Sequence, residues 1–177
     1  KSYVKFFHNI YNLIMPELPE IEIVKRSLSK MINKSKIVDV TINNKNLRYK
    51  IPKNFCKDLI GEKIFKISRR SKYLILQFKK KLLLVHLGMT GKLLILRDLD
   101  GKIFKTSFYY DLNIINKHNH IYLKLDNGLV VIYNDVRRFG FFKIYNTVQQ
   151  NEIKFLTKLG LEPLNKKFNI KYFEKYT

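Results

Sequence analysis

The sequence predicts a mainly β protein: an antiparallel β-sandwich with an N-terminal helix and a second helix near residues 148–159. Three observations predict this fold class. A segment with helical apolar spacing comes first, a series of short strand-like segments with turn residues follows, and a second helical segment lies near the end. Many strands at short spacing with a helix at each side are typical of a sandwich or a barrel. A chain of 177 residues is long enough for one domain with a buried core.

The first helix is predicted from the spacing of apolar residues between Glu17 and Ile32. These residues recur at helical intervals, and most charged residues fall on the opposite side, as in a helix that buries one face. Pro19 fits only in a first turn, because proline lacks the N–H that later helical positions must donate. The helix is therefore expected to start near Met15–Leu18.

After Asn33 the pattern changes to short strands. The strand-like segments are residues 37–42, 63–68, 73–78, 82–87, 92–96, 120–125, 129–133 and 139–145. The third and fourth are separated only by Lys79-Lys80-Lys81, which predicts a hairpin. Asp126-Asn127-Gly128 predicts a tight turn between the strands that flank it.

The end of the chain and one internal stretch complete the pattern. Val148 to Leu159 is predicted to be helical and to end at Gly160, since glycine favours the position just after a helix. Leu99 to Lys117 is polar and aromatic without a regular period. Loops of this length are uncommon inside a compact domain unless they are functional or inserted.

The chain is strongly basic, with 35 Lys and Arg against 14 Asp and Glu and a net charge of +21. A field of this sign attracts polyanions, so nucleic acid, anionic membrane and acidic protein tails are all open on charge alone. Composition bias from an AT-rich coding sequence is the competing explanation, because Lys, Ile, Asn, Tyr and Phe are abundant and Trp is absent.

The cysteine content and the hydropathy limit the metal sites and the cellular compartment that we expect for the chain. Cys56 is the only cysteine, so an internal disulfide and a cysteine-rich zinc site are excluded within this sequence. We therefore expect no metal and no cofactor in the chain, and a reducing compartment such as the cytoplasm. No run approaches the roughly 18 apolar residues of a membrane span. Lys1 to Ile14 lacks the apolar core and the cleavage site of a secretory signal.

Six short motifs hold most of the residues that could carry chemistry. In order, they are Met15-Pro16-Glu17-Leu18-Pro19-Glu20, Arg69-Arg70-Ser71-Lys72-Tyr73-Leu74, His86-Leu87-Gly88-Met89-Thr90-Gly91, Lys117-His118-Asn119-His120, Asn134-Asp135-Val136-Arg137-Arg138-Phe139-Gly140 and Leu159-Gly160-Leu161-Glu162-Pro163-Leu164. Alone, the first motif indicates only a helix start with an acidic first turn, and the others are equally weak. Their order and joint presence are specific.

Together the six motifs resemble the signature series of the bacterial formamidopyrimidine-DNA glycosylases, repair enzymes that excise oxidised purines from DNA. The resemblance covers Met15 to about Tyr172. It implies a β-sandwich catalytic domain over residues 15–165, double-stranded damaged DNA as partner, and a monomer. It also implies glycosylase and AP lyase activity on formamidopyrimidines and 8-oxoguanine.

The resemblance assigns catalytic roles to Pro16, Glu17 and Lys72. The family uses the amine of an N-terminal proline, which forms a Schiff base with the sugar carbon that carries the damaged base. Pro16 matches that residue, and Glu17 matches the general acid that protonates the opening sugar ring. Lys72 matches a lysine that assists base release and strand cleavage. Considered alone, Lys72 is equally compatible with neutralising a phosphate or pointing to water.

Five further residues match DNA contacts of the family. A base excised from a duplex must be flipped out, and wedge residues fill the hole that it leaves. Met89, Arg137 and Phe139 match the wedge set, and His86 and His118 match histidines that contact phosphates. From the residues alone, Met89 and Phe139 are equally compatible with core positions.

The N-terminal residues depart from the family pattern. Residues 1–14 are interpreted as an extension outside the ancestral domain. A residue attached before Pro16 makes its nitrogen a tertiary amide, whose lone pair is delocalised and cannot attack the sugar. We therefore expect Met15 to be the true start and to be removed.

The C-terminal side departs as well. Residues 166–177 are interpreted as the start of an interdomain linker, and the family's helix-two-turn-helix and zinc finger have no counterpart. Zinc is therefore not expected in this chain, and a separately encoded C-terminal half is a candidate partner. Locally, Val136 replaces the usual proline, and Leu99 to Lys117 is about a dozen residues longer than the family's connection, an insertion that a surface loop tolerates. An inactive truncated remnant and a weak non-catalytic DNA-binding module are the alternatives to an active enzyme.

Overall fold

The computed structural model describes residues 16–97, 103–104, 116–163 and 165–174. Residues 1–14, Met15 and most of Leu99 to Lys117 lie outside the described residues. The described strands are β1 Ile37–Ile42, β2 Lys66–Arg70, β3 Tyr73–Gln77, β4 Lys81–His86, β5 Lys92–Arg97, β6 Ile103–Phe104, β7 Asn119–Leu125, β8 Leu129–Asn134 and β9 Phe141–Asn146. The helices are α1 Leu18–Ile32, α2 Phe55–Leu59, α3 Lys154–Thr157 and α4 Ile170–Glu174, with 3-10 helices at Asn116–His118 and Thr147–Glu152.

The strands form two antiparallel sheets. One sheet has five strands in the order β1-β7-β8-β5-β6, and the other has four in the order β2-β3-β4-β9. The predicted hairpin is confirmed as β3–β4, with Tyr73 paired to His86 and Gln77 to Leu82. The tight turn at Asp126-Asn127-Gly128 is confirmed between β7 and β8. The antiparallel sandwich with flanking helices is therefore confirmed.

Helix α1 closes the core on the side of β2 and β3. Its buried face consists of Ile21, Val24, Leu28 and Ile32, each 1% exposed. This is the apolar stripe that the sequence spacing predicted, and each such side chain contributes about 2 kcal/mol on burial. The helix begins at Leu18 with Glu17 as its N-cap. Packing of the buried face therefore also fixes the N-terminal end of the helix, which carries the first motif.

The helix predicted near residues 148–159 is present as two shorter segments, the 3-10 helix Thr147–Glu152 and helix α3. Ile153 lies between them with extended backbone, φ −66° and ψ 105°. Its side chain is 2% exposed and packs with Phe141 and Leu82 on the outer face of the four-stranded sheet. Burial of Ile153 thus interrupts a helix that apolar spacing alone would have continued.

The structure also differs from the sequence prediction at the start of one strand and in two short elements. Strand β2 starts at Lys66 rather than Lys63, although Lys63 makes an isolated bridge to Lys36. The short helix α2 was not predicted. Within the irregular stretch, β6 pairs with β5. No helix in the described part of the chain is long and apolar enough to cross a membrane.

One end of the four-stranded sheet gathers several turns. His86, the last residue of β4, pairs with Tyr73, the first of β3, and with Phe141, the first of β9. The segments just outside these three residues therefore lie side by side. They are the turns that carry Lys72, Met89 and the residues before Phe141.

The five-stranded sheet contributes to the same end. Asn134, at the end of β8, pairs with Asn119 in β7 and with Lys92, the first residue of β5. Residues 87–91 connect β4 to β5, and residues 135–140 connect β8 to β9, so both connections cross from one sheet to the other here. The turns of four of the six motifs consequently meet at one end of the sandwich.

Candidate active site and nucleic-acid interface

The three predicted catalytic residues come together although they are far apart in sequence. Lys72 Nζ lies 2.7 Å from Glu17 Oε1 and 2.6 Å from Oε2, and Pro16, which is buried, directly precedes Glu17. The two charged side chains are 42% and 46% exposed. A pair this exposed contributes at most about 1 kcal/mol to folding. Its significance is therefore the position of an ammonium and a carboxylate beside Pro16.

Lys72 is held by a tight turn between β2 and β3. Ser71 adopts a φ of 51°, which lets two residues reverse the chain. The Ser71 N–H donates to Glu162 Oε1 at 2.6 Å, and Arg69 Nη1 donates to the Ser71 carbonyl at 2.9 Å. The turn is thus held through both the N–H and the carbonyl of Ser71, which fixes the starting point of the Lys72 side chain.

Two carboxylates bind the arginines that precede this turn. Arg69 donates to Glu22 Oε2 at 2.9 Å and to Glu162 Oε2 at 2.7 Å, and Arg70 donates to Glu162 Oε1 at 3.1 Å. Arg70 also donates to the carbonyls of residues 159 and 160. Because Glu22 belongs to α1, the network ties the helix that carries Glu17 to the hairpin that carries Lys72. We call Glu22, Arg69, Arg70 and Glu162 the arginine clamp.

The pKa values of the clamp residues follow from these contacts. Burial alone would raise the pKa of Glu22, but hydrogen bonds from Lys25, Arg69 and Arg26 outweigh it and lower the pKa to about 2. Burial is likewise outweighed at Glu162, whose pKa is lowered by hydrogen bonds from Arg69 and the Ser71 N–H. The pKa of Arg69 is raised, because its two carboxylate partners outweigh burial. Glu22, Glu162 and Arg69 are therefore charged at neutral pH.

A buried carboxylate organises the loops on the other side of the site. Asp135 is 0% exposed and accepts hydrogen bonds from the hydroxyls of Thr90 and Tyr133. It also accepts from the backbone N–H of Arg137 at 3.2 Å and of Gly140 at 3.0 Å. Asp135 thereby joins the turn that carries Met89 to the loop that carries Arg137.

Two glycines allow these loops to touch. A Cβ at Gly88, which has a φ of 68°, would lie 2.6 Å from the Gly140 nitrogen. A Cβ at Gly140 would lie 1.9 Å from the Tyr133 hydroxyl oxygen and 2.6 Å from the His86 carbonyl oxygen. Real side-chain carbons do not approach backbone this closely, so the contact requires glycine at both positions.

The predicted wedge residues lie at the surface of these loops. Phe139 is 41% exposed, Arg137 is exposed, and Met89 is partly exposed in the turn after β4. The Arg137 guanidinium carbon lies 4.5 Å from the centre of the Phe139 ring, a cation–π contact. The alternative that Phe139 and Met89 are buried core residues is therefore excluded.

An open groove of about 580 Å³ lies beside the wedge loop. Arg137, Arg138 and Phe139 form one side, and Asn46 and Arg48 complete the lining. The Asn46 and Arg48 side belongs to the connection between β1 and α2 and was not predicted as part of a site. Three guanidinium groups around one groove create a region of strong positive potential.

The two predicted histidines occupy different surroundings. The His86 ring stacks on Phe141, with centroids 5.3 Å apart, and its Nδ1 accepts a hydrogen bond from the Gly88 N–H. Burial, together with the charges of Arg48 and Lys72, lowers the pKa of His86. His118 ends a 3-10 helix, and its carbonyl accepts from the Asp135 N–H. His118 thus lies on the five-stranded side, and the structure does not bring it into contact with the catalytic pair.

Comparison with known proteins follows this geometry. The family model for the formamidopyrimidine-DNA glycosylase N-terminal domain matches residues 15–142. The chain belongs to this family. A formamidopyrimidine-DNA glycosylase of Bartonella tribocorum is 40% identical over 166 residues, which cover 91% of this chain and 55% of the relative. One of Wolbachia pipientis subsp. Culex pipiens is 37% identical over 162 residues, 91% of this chain and 54% of the relative.

Solved structures agree with the family. The glycosylase of Lactococcus lactis, non-covalently bound to DNA that contains an AP site, superposes with a TM-score of 0.73 at 32% identity. The match covers 90% of this chain and 56% of that protein. The chain therefore spans about half the length of the glycosylases that it resembles, and the shared half has the same fold.

Sequence reasoning missed the residues that hold this site together. Glu162 and Asp135 belonged to recognised motifs, but no role was predicted for either, and Glu22 was seen only as part of a polar helix face. The usable signal is the Arg69-Arg70 pair itself, because buried arginines need paired charges and so imply carboxylate partners elsewhere in the chain. Arg48 lies between Leu47 and Tyr49, outside the six motifs, and nothing in the sequence indicated a role for it. Among the described residues, no cluster of three His, Cys, Asp or Glu could hold a metal ion.

Proposed function

We propose that this chain is the catalytic half of a bifunctional DNA glycosylase and AP lyase, which removes formamidopyrimidines and 8-oxoguanine from double-stranded DNA. The contact of Lys72 Nζ with the Glu17 carboxylate beside Pro16 carries the proposal. The similarity supports it, because the matched relatives are named formamidopyrimidine-DNA glycosylases and a matched structure holds AP-site DNA. The cytoplasm suits the reaction, since the single cysteine stays reduced there.

The first step forms a covalent bond between the protein and the sugar. The lone pair of the Pro16 amine attacks C1′, and the N-glycosidic electron pair leaves with the damaged base. The base takes up the proton that the amine loses. The C1′–O4′ bond then opens, O4′ receives a proton from Glu17, and a positively charged Schiff base joins Pro16 nitrogen to C1′. These steps use only groups of the chain and the DNA, so the proposed chemistry requires no cofactor.

Lys72 supports this step through its contact with Glu17. A general acid must hold a proton before it can donate one, and the Lys72 ammonium lies 2.6 Å from a Glu17 oxygen. Lys72 is thus in position to supply that proton and to act in turn on the leaving base and on strand cleavage. The arginine clamp keeps the two groups in register, which is how a fixed geometry lowers the barrier.

The reaction requires a free amine at Pro16. In a peptide linkage to Met15, the Pro16 nitrogen is a tertiary amide with no proton and a delocalised lone pair. The proposed active form therefore begins at Pro16.

The wedge and histidine residues provide the DNA contacts in this proposal. Met89 and Phe139 insert where the damaged base leaves the stack, and Arg137 faces the base left without a partner. His86 contacts a phosphate through Nε2, because its Nδ1 already accepts the Gly88 N–H. His118 contacts the DNA backbone further along, on the side of the five-stranded sheet.

Borohydride trapping tests the proposal. Protein that begins at Pro16 is mixed with a duplex containing 8-oxoguanine, with and without the C-terminal half of the Bartonella tribocorum relative. Borohydride reduces a Schiff base to a stable amine, so an active protein is recovered attached to DNA. The matched control retains Met15 and should give no attached product. Failure of the Pro16 form in both mixtures would refute the proposal.

A non-catalytic DNA-binding protein is the second candidate, favoured by the exposed arginines of the groove. In that case the Pro16 form binds duplex DNA but gives no trapped product under either condition. The same experiment therefore separates the two functions.

A further inference from the structure

His120, a buried residue of β7, lies where two connections of the chain meet. The β1–α2 connection starts against it, because the Asn43 N–H donates to the His120 carbonyl at 2.9 Å. The same connection reaches the β8–β9 connection further along, where the Arg48 N–H donates to the Gly140 carbonyl at 3.3 Å. His120 is 3% exposed. Both connections are therefore anchored, directly or through each other, at one buried position.

The His120 side chain holds the β8–β9 connection through the backbone of Asp135. Its Nε2 lies 2.7 Å from the Asp135 carbonyl oxygen. A carbonyl oxygen only accepts, so Nε2 carries the hydrogen and donates it. The Tyr133 ring lies beside the imidazole, with centroids 6.3 Å apart, and its hydroxyl donates to the Asp135 carboxylate at 2.7 Å. Two buried side chains therefore fix the same residue, one through its backbone and one through its carboxylate.

The other polar groups of Asp135 are also bound. Its N–H donates to the His118 carbonyl at 3.0 Å, and its carboxylate accepts the hydrogen bonds described above. Within the described residues, the donor to its carbonyl is His120 Nε2. A buried acceptor without a donor destabilises a protein. Removal of the imidazole therefore leaves an unsatisfied carbonyl at the first residue of the β8–β9 connection.

This connection contains a strained residue directly after Arg137. Arg138 has a φ of 57°, in the left-handed region that residues other than glycine seldom adopt. Such a conformation persists only where the surrounding contacts determine it. The peptide between Asp135 and Val136 leads into the strained turn, and the Val136 N–H donates no hydrogen bond to any described residue. The hydrogen bond from His120 therefore holds this peptide at its carbonyl.

We propose that His120 is a positioning residue for the wedge set. Its Nε2–H fixes the peptide that follows Asp135, and that peptide sets the direction of the Arg137 and Phe139 side chains. The inference rests on the proposed function, because wedge residues act only where a base leaves a duplex. His120 itself is buried and does not touch DNA. It keeps the strained connection in one conformation before DNA binds, so that binding does not have to order the wedge residues.

Hydrogen exchange in the 177-residue chain tests this restraint without DNA. His120→Leu keeps a buried side chain but removes the donor, whereas His120→Gln retains an N–H. Exchange of the Arg137 and Gly140 N–H groups should be about tenfold faster in His120→Leu and close to native in His120→Gln. The matched control is Leu123→Val, a buried position towards the other end of β7. It should speed exchange equally across the five-stranded sheet.

A second substitution separates restraint of the connection from packing of β7. Val136→Pro limits the same peptide through its ring, at the position where the family usually has proline. Combined with His120→Leu, it should return exchange of the Arg137 and Gly140 N–H groups towards the native rate. Exchange that stays fast in this double variant overturns the inference. Exchange in His120→Leu that is unchanged, or that rises equally across the sheet as in the control, overturns it as well.

Borohydride trapping connects the restraint to the wedge residues. The Pro16 form, mixed with the C-terminal half as above, is compared with its His120→Leu variant on two substrates. On a duplex containing 8-oxoguanine the variant should be trapped about tenfold more slowly, because the base must leave the stack. Single-stranded DNA with an AP site has no duplex to open, so the two proteins should be trapped at the same rate.

The two substrates also separate this inference from the proposed function. Equal slowing of His120→Leu on both substrates would limit His120 to a role in folding and overturn the inference. No trapping of the unsubstituted Pro16 form on either substrate would instead refute the proposed function. The exchange rates do not depend on catalysis, so they decide in either case whether His120 restrains the β8–β9 connection.

Discussion

Two Arg-Arg pairs in this chain have opposite surroundings. In Arg69-Arg70 the guanidinium groups are bound by Glu22, Glu162 and three carbonyls. In Arg137-Arg138 no guanidinium has an acidic partner among the described residues. The Arg69 side chain is 10% exposed, whereas Arg137 and Arg138 are exposed. The first pair holds the protein together, and the second is available to bind something else.

The difference arises from where the nearby carboxylate binds. Glu162 forms ion pairs with both side chains of the first pair, so their positive charge is balanced within the fold. Asp135 instead binds the backbone N–H of Arg137 and of Gly140, which holds the loop while its side chains point away. Identical dipeptides can therefore be bound within the fold or left exposed, and the contacts of the nearby carboxylate decide between the two.

The largest expected effect is on the first pair. Arg69→Ala should lower the free energy of unfolding by about 4 kcal/mol, because it leaves Glu22 and Glu162 partly buried without their shared cation. Urea unfolding measures this change. A loss below that of an ordinary surface substitution would show that the clamp does not stabilise the fold.

The next largest effect is expected at the carboxylate of the second pair. Asp135→Ala should lower the free energy of unfolding by about 3 kcal/mol, because Tyr133 and Gly140 lose a buried acceptor. It should also weaken DNA binding, since the loop that presents Arg137 is no longer fixed. Urea unfolding and a binding titration check both parts. Unchanged DNA affinity in a destabilised variant would contradict the proposed ordering of the loop.

Glu162→Gln tests whether the clamp also positions Lys72. The amide keeps the shape but loses the charge that binds both arginines, so stability should fall by about 1–2 kcal/mol. Borohydride trapping by the Pro16 form should slow by about tenfold, because the Ser71–Lys72 turn is less fixed. Glu152→Gln, an exposed position in the 3-10 helix, is the control. Equal trapping rates for the two variants would limit Glu162 to a structural role.

The clamp also predicts a dependence of stability on acid. The pKa of Glu22 is about 2 in the folded state against 4.5 ordinarily, so the unfolded chain binds more protons between these values. The contribution of Glu22 is complete above pH 4.5 and is lost as the pH falls towards 2. For Glu22→Gln, the free energy of unfolding is measured from about pH 5 to about pH 2. It should fall less steeply with decreasing pH than that of the native protein. If the free energy of unfolding fell equally in both proteins, Glu22 would not contribute to the acid dependence.

The smallest effect on stability is expected at the second pair itself. Arg137→Gln should change the free energy of unfolding by less than about 0.5 kcal/mol, as for other exposed positions. The salt slope of DNA binding should nevertheless fall if Arg137 faces the duplex. A stability loss comparable to that of Arg69→Ala would abolish the contrast between the two pairs.

Much of the fold follows from local pattern. The helical stripe of α1, the β3–β4 hairpin and the turn at Asp126-Asn127-Gly128 were predicted because each depends on residues close in sequence. Helix α2 was missed because five residues are too few to show a helical period. The break at Ile153 was missed because packing on the opposite sheet face, rather than local spacing, determines it.

The site divides in the same way. Pro16, Glu17 and Lys72 were identified by resemblance to a family, and no periodicity predicts a contact between residues 17 and 72. Glu162 and Arg69 meet only after the chain has crossed both sheets. Arg48 reaches the groove through a connection without regular structure. Contacts of this kind depend on the complete fold and were therefore not available from the sequence.

The most direct test of the proposed chemistry is to locate the attachment point after borohydride reduction. The DNA adduct of the Pro16 form is digested, and the modified peptide is sequenced by mass spectrometry. We predict that the sugar remnant is on the Pro16 nitrogen, with the Lys72 side chain unmodified. Attachment to Lys72, a primary amine that lies beside Glu17 and can also form a Schiff base, would contradict it.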